Sequence, residues 1–469
     1  MLMRFVRTKF IAILLGPAGT GFLAQLTIFF EALRVWGDLG SRRAVIKQIA
    51  EQRKAGRASE KYGQVIKTSY VLALIASVLT AGAVILMADR ISASLYGDAS
   101  HARFIVFSAL LLPVASISTI TASIVKGNLD YTPFAKYTLA SYVAVILATP
   151  LFIYFFHYWG AVIVQGLFFL FPLVGYLVFN ARKRFLHFSG RISGGLLREQ
   201  FSYGSQQIYQ DSLINFSRLL AAAWIIKSLG LQEMGLYQVV ITFSTVYMSI
   251  PIQSMTGYTF PLIAAAESHA EITKAINDSL RFLMFILVPV IVALMVWPEI
   301  FIVMFFSSEF LKAAPVLQVQ LFSTLFLLMT FSYNSAISAK GKIKAMFWVA
   351  TLQPVTFILL AWLLFPHWKL MGIASAYAVS MFFNYVAHCI LTARFFGMKL
   401  YPKNLRLCAA TALWVTAAFA AGCYSNDPWL RVLVAAGAVP WFLFSSKDHE
   451  RKFLCDKTAF FLRPQPLKS

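Results

Sequence analysis

Three groups of polar and ionisable residues in this chain fall within stretches that are otherwise apolar. A charge in the middle of a membrane helix costs roughly 2.5 to 3.5 kcal/mol to insert, so it persists where it meets a wet cavity or a partner. Glu31, Arg34 and Asp38 stand at i, i+3 and i+7, and thus on one helix face. Gln207, Asp211, Asn215 and Arg218 stand at i, i+4, i+8 and i+11, a continuous polar stripe. Arg4 and Arg7 lie one turn apart in a third stretch. Arginines in such places hold phosphate through charge-assisted forks. That makes Arg4, Arg34 and Arg218 candidate ligands of an anionic substrate, with Gln207 and Asn215 adding hydrogen bonds. Glu31, Asp38 and Asp211 are the candidate groups for proton or cation coupling. A second reading stays open for each group, and for the stripe from Gln207 to Arg218 it is a structural Asp211–Arg218 pair. Glu31, Arg34 and Asp38 also form a self-neutralising ladder suited to packing, and Arg4, Arg7 and Lys9 also read as flanking charges of a helix that begins there.

The elements that carry these residues are membrane helices. Hydrophobic residues make up 59% of the chain and charged ones only 13%, against about a quarter charged in ordinary soluble domains. Crossing roughly 30 Å of hydrocarbon takes about 20 apolar residues. Thirteen stretches meet that requirement, from 20–41 to 428–445, preceded by a fragment, 1–15, too short to cross. The net charge of +22 raises the question of nucleic acid. The basic residues lie in short loops between apolar segments, which excludes a soluble basic face. Thirty Lys and Arg fall on one set of alternate loops plus the tail, and six on the other set: Arg90, Arg103, Lys227, Lys312, Lys369 and Arg431. This bias predicts that both termini are cytoplasmic.

The chain also repeats itself. Leu15-Gly16, four residues and Gly21 return as Leu229-Gly230, four residues and Gly235, 214 positions on (229 minus 15). Lys126-Gly127 and Lys340-Gly341 keep the same offset (340 minus 126). Repeated membrane halves point to a transporter with its site at the repeat interface, and the offset places Arg4 opposite Arg218. The fold class expected is an all-α integral membrane protein with two pseudo-repeated six-helix lobes, two further helices and an incomplete first helix. The expected divisions are an N-terminal lobe 1–181, a linker 182–204, a C-terminal lobe 205–394, a helix pair 395–446 and a basic cytoplasmic tail 447–469.

No Walker loop, nucleophile elbow or metal-ligand spacing is present, so the sequence predicts neither an enzyme nor a resident cofactor or metal. The four cysteines form no CxxC pair. Polar stripes at Gln238, Thr242, Thr245, Ser249, Gln253 and Thr256, and at Tyr377, Ser380, Asn384 and His388, suit either substrate hydroxyls or interhelical hydrogen bonds. His388 is expected at the membrane interface. Pro113, Pro150, Pro172, Pro289 and Pro354 are expected to bend their spans.

Phe10 to Gly21 (FIAILLGPAGTG), Leu39-Gly40 followed by Ala44 to Glu51 (AVIKQIAE), Lys126-Gly127, Lys340-Gly341 and the Gly372 segment MGIASAYAVS carry a family resemblance. Over residues 5 to 394 the chain resembles the Wzx-type flippases for lipid-linked oligosaccharides, in the multidrug/oligosaccharidyl-lipid/polysaccharide exporter superfamily. The resemblance implies a V-shaped pair of lobes around a cationic cavity in the bacterial inner membrane. By alternating access it would move an undecaprenyl-diphosphate-linked oligosaccharide to the periplasmic leaflet. It also implies membrane lipid and, as partners, polysaccharide polymerase and assembly proteins. The incomplete first helix and the extra helix pair depart from the family pattern. Two rivals remain, a cation-coupled exporter of small molecules or drugs and a non-transporting scaffold of a polysaccharide assembly complex.

Overall fold

A computed structural model describes residues 2–55, 59–129, 131–183, 185–186, 188–424, 427–438 and 441. Side chains of residues 1–5 are outside the described set, as is the basic tail 447–469. Among the described residues every regular element is helical. The first is α1 (Leu2–Gly37), followed by α2 (Arg42–Ala55), α3 (Glu60–Leu86), α4 (Ala88–Tyr96), α5 (Ala102–Leu110), α6 (Leu112–Gly127), α7 (Tyr131–Arg182) and α8 (Gly194–Leu229). The second part of the chain holds α9 (Leu231–Ile241), a π-helical turn (Thr242–Tyr247), α10 (Ser249–Ala265), α11 (His269–Val296) and α12 (Pro298–Phe305). A 3₁₀ turn (Ser308–Ala313), α13 (Ala314–Ala339), α14 (Ile343–Phe396), α15 (Pro402–Tyr424) and α16 (Pro428–Ala436) complete it. Ten of the described segments are long and apolar enough to cross a membrane.

Helix starts follow local chemistry. The hydroxyls of Ser59, Ser193 and Ser268 accept from the backbone N–H of Tyr62, Leu196 and Glu271, capping α3, α8 and α11. Pro113 lies in the first turn of α6, where its missing N–H breaks no helical hydrogen bond. It begins a helix there and does not bend one, whereas Pro150, Pro172, Pro289 and Pro354 lie inside helices, and the breaks in α7 and α14 fall at His157 and Lys369.

Helix α7 doubles back on itself at His157 (φ 47, ψ −122). Gly160 lies against the Phe152 carbonyl, although eight residues of straight helix would separate them by about 12 Å. The two arms run side by side: Thr138 and Tyr176 share a 2.6 Å hydrogen bond, and Phe134 stacks on Tyr176 at 5.5 Å. The same device recurs in α14, where Lys369 has φ 49 and ψ −127 and Gly372 lies against the Leu364 carbonyl. Gly16 (φ 63) and Gly230 (φ 93) likewise take matching non-helical conformations at the two Leu-Gly steps. The internal repeat thus extends from residue types to backbone geometry.

By contact density the chain forms two compact units. The first is Met1–Val240 with Ile302–Ala313 and Ala350–Ala376, and the second is Ile241–Phe301 with Ala314–Val349 and Tyr377–Ser469. Within the first, α2, α3 and α6 share a core of Val45, Ile49, Tyr62, Val65, Ile66, Ala73, Ile120 and Ile124. Within the second, Ile263, Ile272, Ile276, Tyr333, Ala336, Phe396 and Met398 form another. Helix α15 docks on α11 there. Asn277 accepts from the Tyr401 N–H at 2.9 Å and from Asn404 Nδ2 at 2.9 Å, and it donates to the Lys399 carbonyl at 3.1 Å. Farther along, Gly422 presses on the Met295 carbonyl.

Candidate functional site

The site is built where α1 ends. Gly37 passes close to Ser116 and Leu112 of α6, with no room for a side chain without displacing them. The chain then turns through Leu39 (φ 46) and Gly40 (φ 60), a left-handed pair that requires glycine at the second position. Gly40 and Gly204 of α8 meet backbone to backbone. Asp38 accepts from the Gly40 N–H at 3.0 Å, and Ser41 Oγ donates to the Asp38 carbonyl at 2.7 Å. The motif Leu39-Gly40 therefore marks a turn clamped against α8.

This turn collects charges. Asp38 is wholly buried, and the guanidinium of Arg42 lies 3.2 Å from its Oδ2. Arg42 also reaches Asp211 Oδ2 of α8 at 3.6 Å. One turn back, Arg34 donates to Glu31 Oε2 through Nε at 3.0 Å and Nη2 at 2.5 Å. Asp38 and Asp211 also lie within electrostatic reach of Arg34. Asp38 lies just beyond the span Val6–Gly37. Burial lifts its pKa above the ordinary carboxylate value, opposed by the charges of Arg42 and Arg34. The α2–α8 contact continues through buried amides, since Gln200 Nε2 donates to Gln48 Oε1 at 2.9 Å and to Ser69 Oγ at 2.8 Å. Gln48 Nε2 donates to Glu199 Oε2 at 2.9 Å, and Lys47 lies 3.4 Å from Glu199 Oε1.

The structure thus brings together Glu31, Arg34, Asp38 and Asp211. Gln207, Asn215 and Arg218 are each half-buried on α8 beside Asp211, and among the described residues none of the three has a hydrogen bond or ion pair. Seven residues along the helix set Arg218 about 10 Å from Asp211. Arg4 lies in α1, and its side chain is outside the described residues. Arg7 lies over the Phe168 ring at 5.8 Å.

Sequence reasoning missed Arg42, counting it as an orienting loop charge. Its signal was the i, i+4 spacing from Asp38 across a Gly turn. His388, near the end of α14, is 3% exposed, with Nδ1 2.8 Å from the Asn384 carbonyl, so its ring packs against protein. In the stripe from Gln238 to Thr256, Thr242 and Thr245 lie in a π-helical turn, beside Ser244. The carbonyl of Ser244 accepts from Thr324 Oγ1 at 2.8 Å, and its hydroxyl accepts from Gln320 at 3.1 Å. These bonds join the turn to α13 through Ser244, which is not itself a stripe residue.

Comparison with known proteins agrees with this architecture. The chain is 24% identical to the lipid III flippase of Escherichia coli (strain K12) over 382 residues, 79% of this chain and 89% of that protein. The same figures hold for the lipid III flippase of Shigella flexneri. Its fold matches the inward closed conformation of the lipid II flippase MurJ with a TM-score of 0.73 at 13% identity, over 97% of each chain. It matches an inward-facing multidrug resistance MATE family transporter of the MOP superfamily equally well, TM-score 0.73 at 16% identity, over 84% of this chain and 94% of that one. The helices long and apolar enough to cross a membrane mark a multi-pass membrane protein, and residues 10–315, more than half of the chain, carry the pattern of one family. The chain belongs to the polysaccharide biosynthesis protein family.

Proposed function

We propose that this protein is a flippase that moves an undecaprenyl-diphosphate-linked oligosaccharide from the cytoplasmic to the periplasmic leaflet of the bacterial inner membrane. The observation that carries this reading is Arg218, a half-buried cation inside a span with no ion-pair partner among the described residues. The insertion cost of such a cation is offset when an anion arrives, and a diphosphate accepts a guanidinium fork. Arg34 and Arg42 are balanced by Glu31, Asp38 and Asp211. In this reading Arg218 and Arg4 bind the head group and Gln207 and Asn215 contact it. The Arg34–Glu31 pair exchanges partners as substrate passes, and Asp211 or Glu31 takes up the coupling cation or proton. The repeated halves, 1–181 and 205–394, would rock about the site with both termini in the cytoplasm, as the distribution of basic residues favours.

The test is complementation of a bacterial host lacking its own oligosaccharide flippase, scored as surface polysaccharide at equal membrane protein level. Parent rescue with loss in Arg218→Ala supports anion translocation. Equal rescue by both overturns it, and points to the scaffold reading. Drug efflux by the parent without polysaccharide rescue would instead favour the small-molecule exporter.

A further inference from the structure

At the membrane boundary where α3 ends, the first compact unit carries a cleft of about 510 Å³ distinct from the charged turn. Its lining includes Ile85, Asp89, Arg103, Phe107, Leu110 and Trp159. Three spans reach this boundary together. The α3 span ends at Leu86, the α5–α6 span begins at Ala102, and α7 reverses at His157. The cleft therefore lies at head-group depth.

Its two charges are unusual. Asp89, in the first turn of α4, and Arg103, in the first turn of α5, are both exposed. Neither has a hydrogen bond or ion pair among the described residues, and although they line one cleft no ion pair joins them. Arg103 stands at the positive end of its helix, so the helix gains nothing from it unless an anion binds between them. The rest of the cleft is apolar and open. Trp159 packs edge-on to Phe107 at 5.8 Å, and Leu86 and Leu110 are 89% and 58% exposed.

We infer that this cleft binds a phospholipid bearing a primary ammonium, of the phosphatidylethanolamine type. The phosphate would lie on Arg103 and the α5 N-terminus, the ammonium would donate to Asp89, and an acyl chain would run along Phe107, Leu110 and Trp159. One anionic and one cationic group over an apolar trough complement a zwitterionic lipid better than an anionic one, which would bring no partner for Asp89. Tryptophan suits this depth because its ring is apolar and its N–H polar.

The test equilibrates the purified full chain with equal amounts of dioleoyl phosphatidylethanolamine, phosphatidylglycerol and phosphatidylcholine, and identifies the retained lipid by native mass spectrometry. The expected result is retention of one phosphatidylethanolamine with about fivefold preference over phosphatidylglycerol, the effect of one charge near a lipid surface, and a preference over phosphatidylcholine because a quaternary ammonium has no N–H to donate to Asp89. Asp89→Asn should erase that preference, and Arg103→Gln should weaken retention of all three. A brominated phosphatidylethanolamine should quench fluorescence in the parent more than in Trp159→Phe. Equal retention of the three lipids by the parent, or an unchanged profile in both charge variants, overturns the proposal, as does equal quenching. Both charges are exposed and unpaired, so their removal leaves the fold intact.

Discussion

Gly21 of α1 and Gly235 of α9 occupy each other's repeat position and pack reciprocally. A Cβ on Gly21 would strike the Leu231 carbonyl, and one on Gly235 would strike the Pro17 carbonyl. Leu231 and Pro17 are themselves 214 positions apart (231 minus 17), so the contact has approximate two-fold symmetry. The Leu-Gly-x4-Gly skeleton is therefore a helix-crossing device, in which small residues let two backbones touch.

Alanine at Gly21 or Gly235 must push these backbones apart. The expected cost is about 3 kcal/mol each, the upper part of the overpacking range. Thermal unfolding in detergent should show a large drop for both variants. Gly82→Ala, at a helical position with nothing within 4 Å of the added carbon, should be unchanged or slightly more stable.

Arg42→Ala should cost about 3 kcal/mol, because it removes the cation beside a fully buried carboxylate. The Arg42–Asp211 contact is longer and partly solvated, and a double-mutant cycle should give a coupling of less than about 1 kcal/mol.

The cost of Arg42→Ala should also shrink as pH falls. Asp38 already has a raised pKa in the folded protein, so its contribution to stability is complete in acid and is lost as pH rises through that value. Removing Arg42 raises the pKa further and moves the loss to higher pH. Melting temperatures of parent and variant measured from pH 5 to 8 should diverge upward. A constant gap would show that Asp38 does not titrate there.

Arg218→Ala should lower flipping at least about tenfold, a loss of roughly 1.4 kcal/mol in transition-state stabilisation, with no change in melting temperature. Because Arg218 has no ion-pair partner among the described residues, a variant that instead melts early would place it in the packing.

Asn277→Ala should loosen α15 from α11, since one side chain holds Lys399, Tyr401 and Asn404. Losing such buried hydrogen bonds costs about 1 to 3 kcal/mol. Hydrogen exchange should rise across 398–410 before the rest of the second compact unit.

The residue sequence alone determined that the protein is helical, spans the membrane many times and is internally duplicated. Apolar run length answers directly to bilayer thickness, and Leu15-Gly16 and Leu229-Gly230 keep their register in the chain itself. It also singled out Glu31, Arg34, Asp38 and Asp211, because charge within an apolar run is visible without coordinates. The pairs Glu31–Arg34 and Asp38–Arg42 are local in sequence, and only the tertiary structure decided that Asp211 joins them. Asp38 meets Arg42 across the Leu39-Gly40 turn, and Asp211 joins them because Gly204 lets α8 approach that turn. His388 is buried and Arg42 is central for the same reason. Residue type and spacing establish what a side chain can do and which near neighbour it can pair with, and a partner such as Asp211 depends on packing between segments distant in sequence.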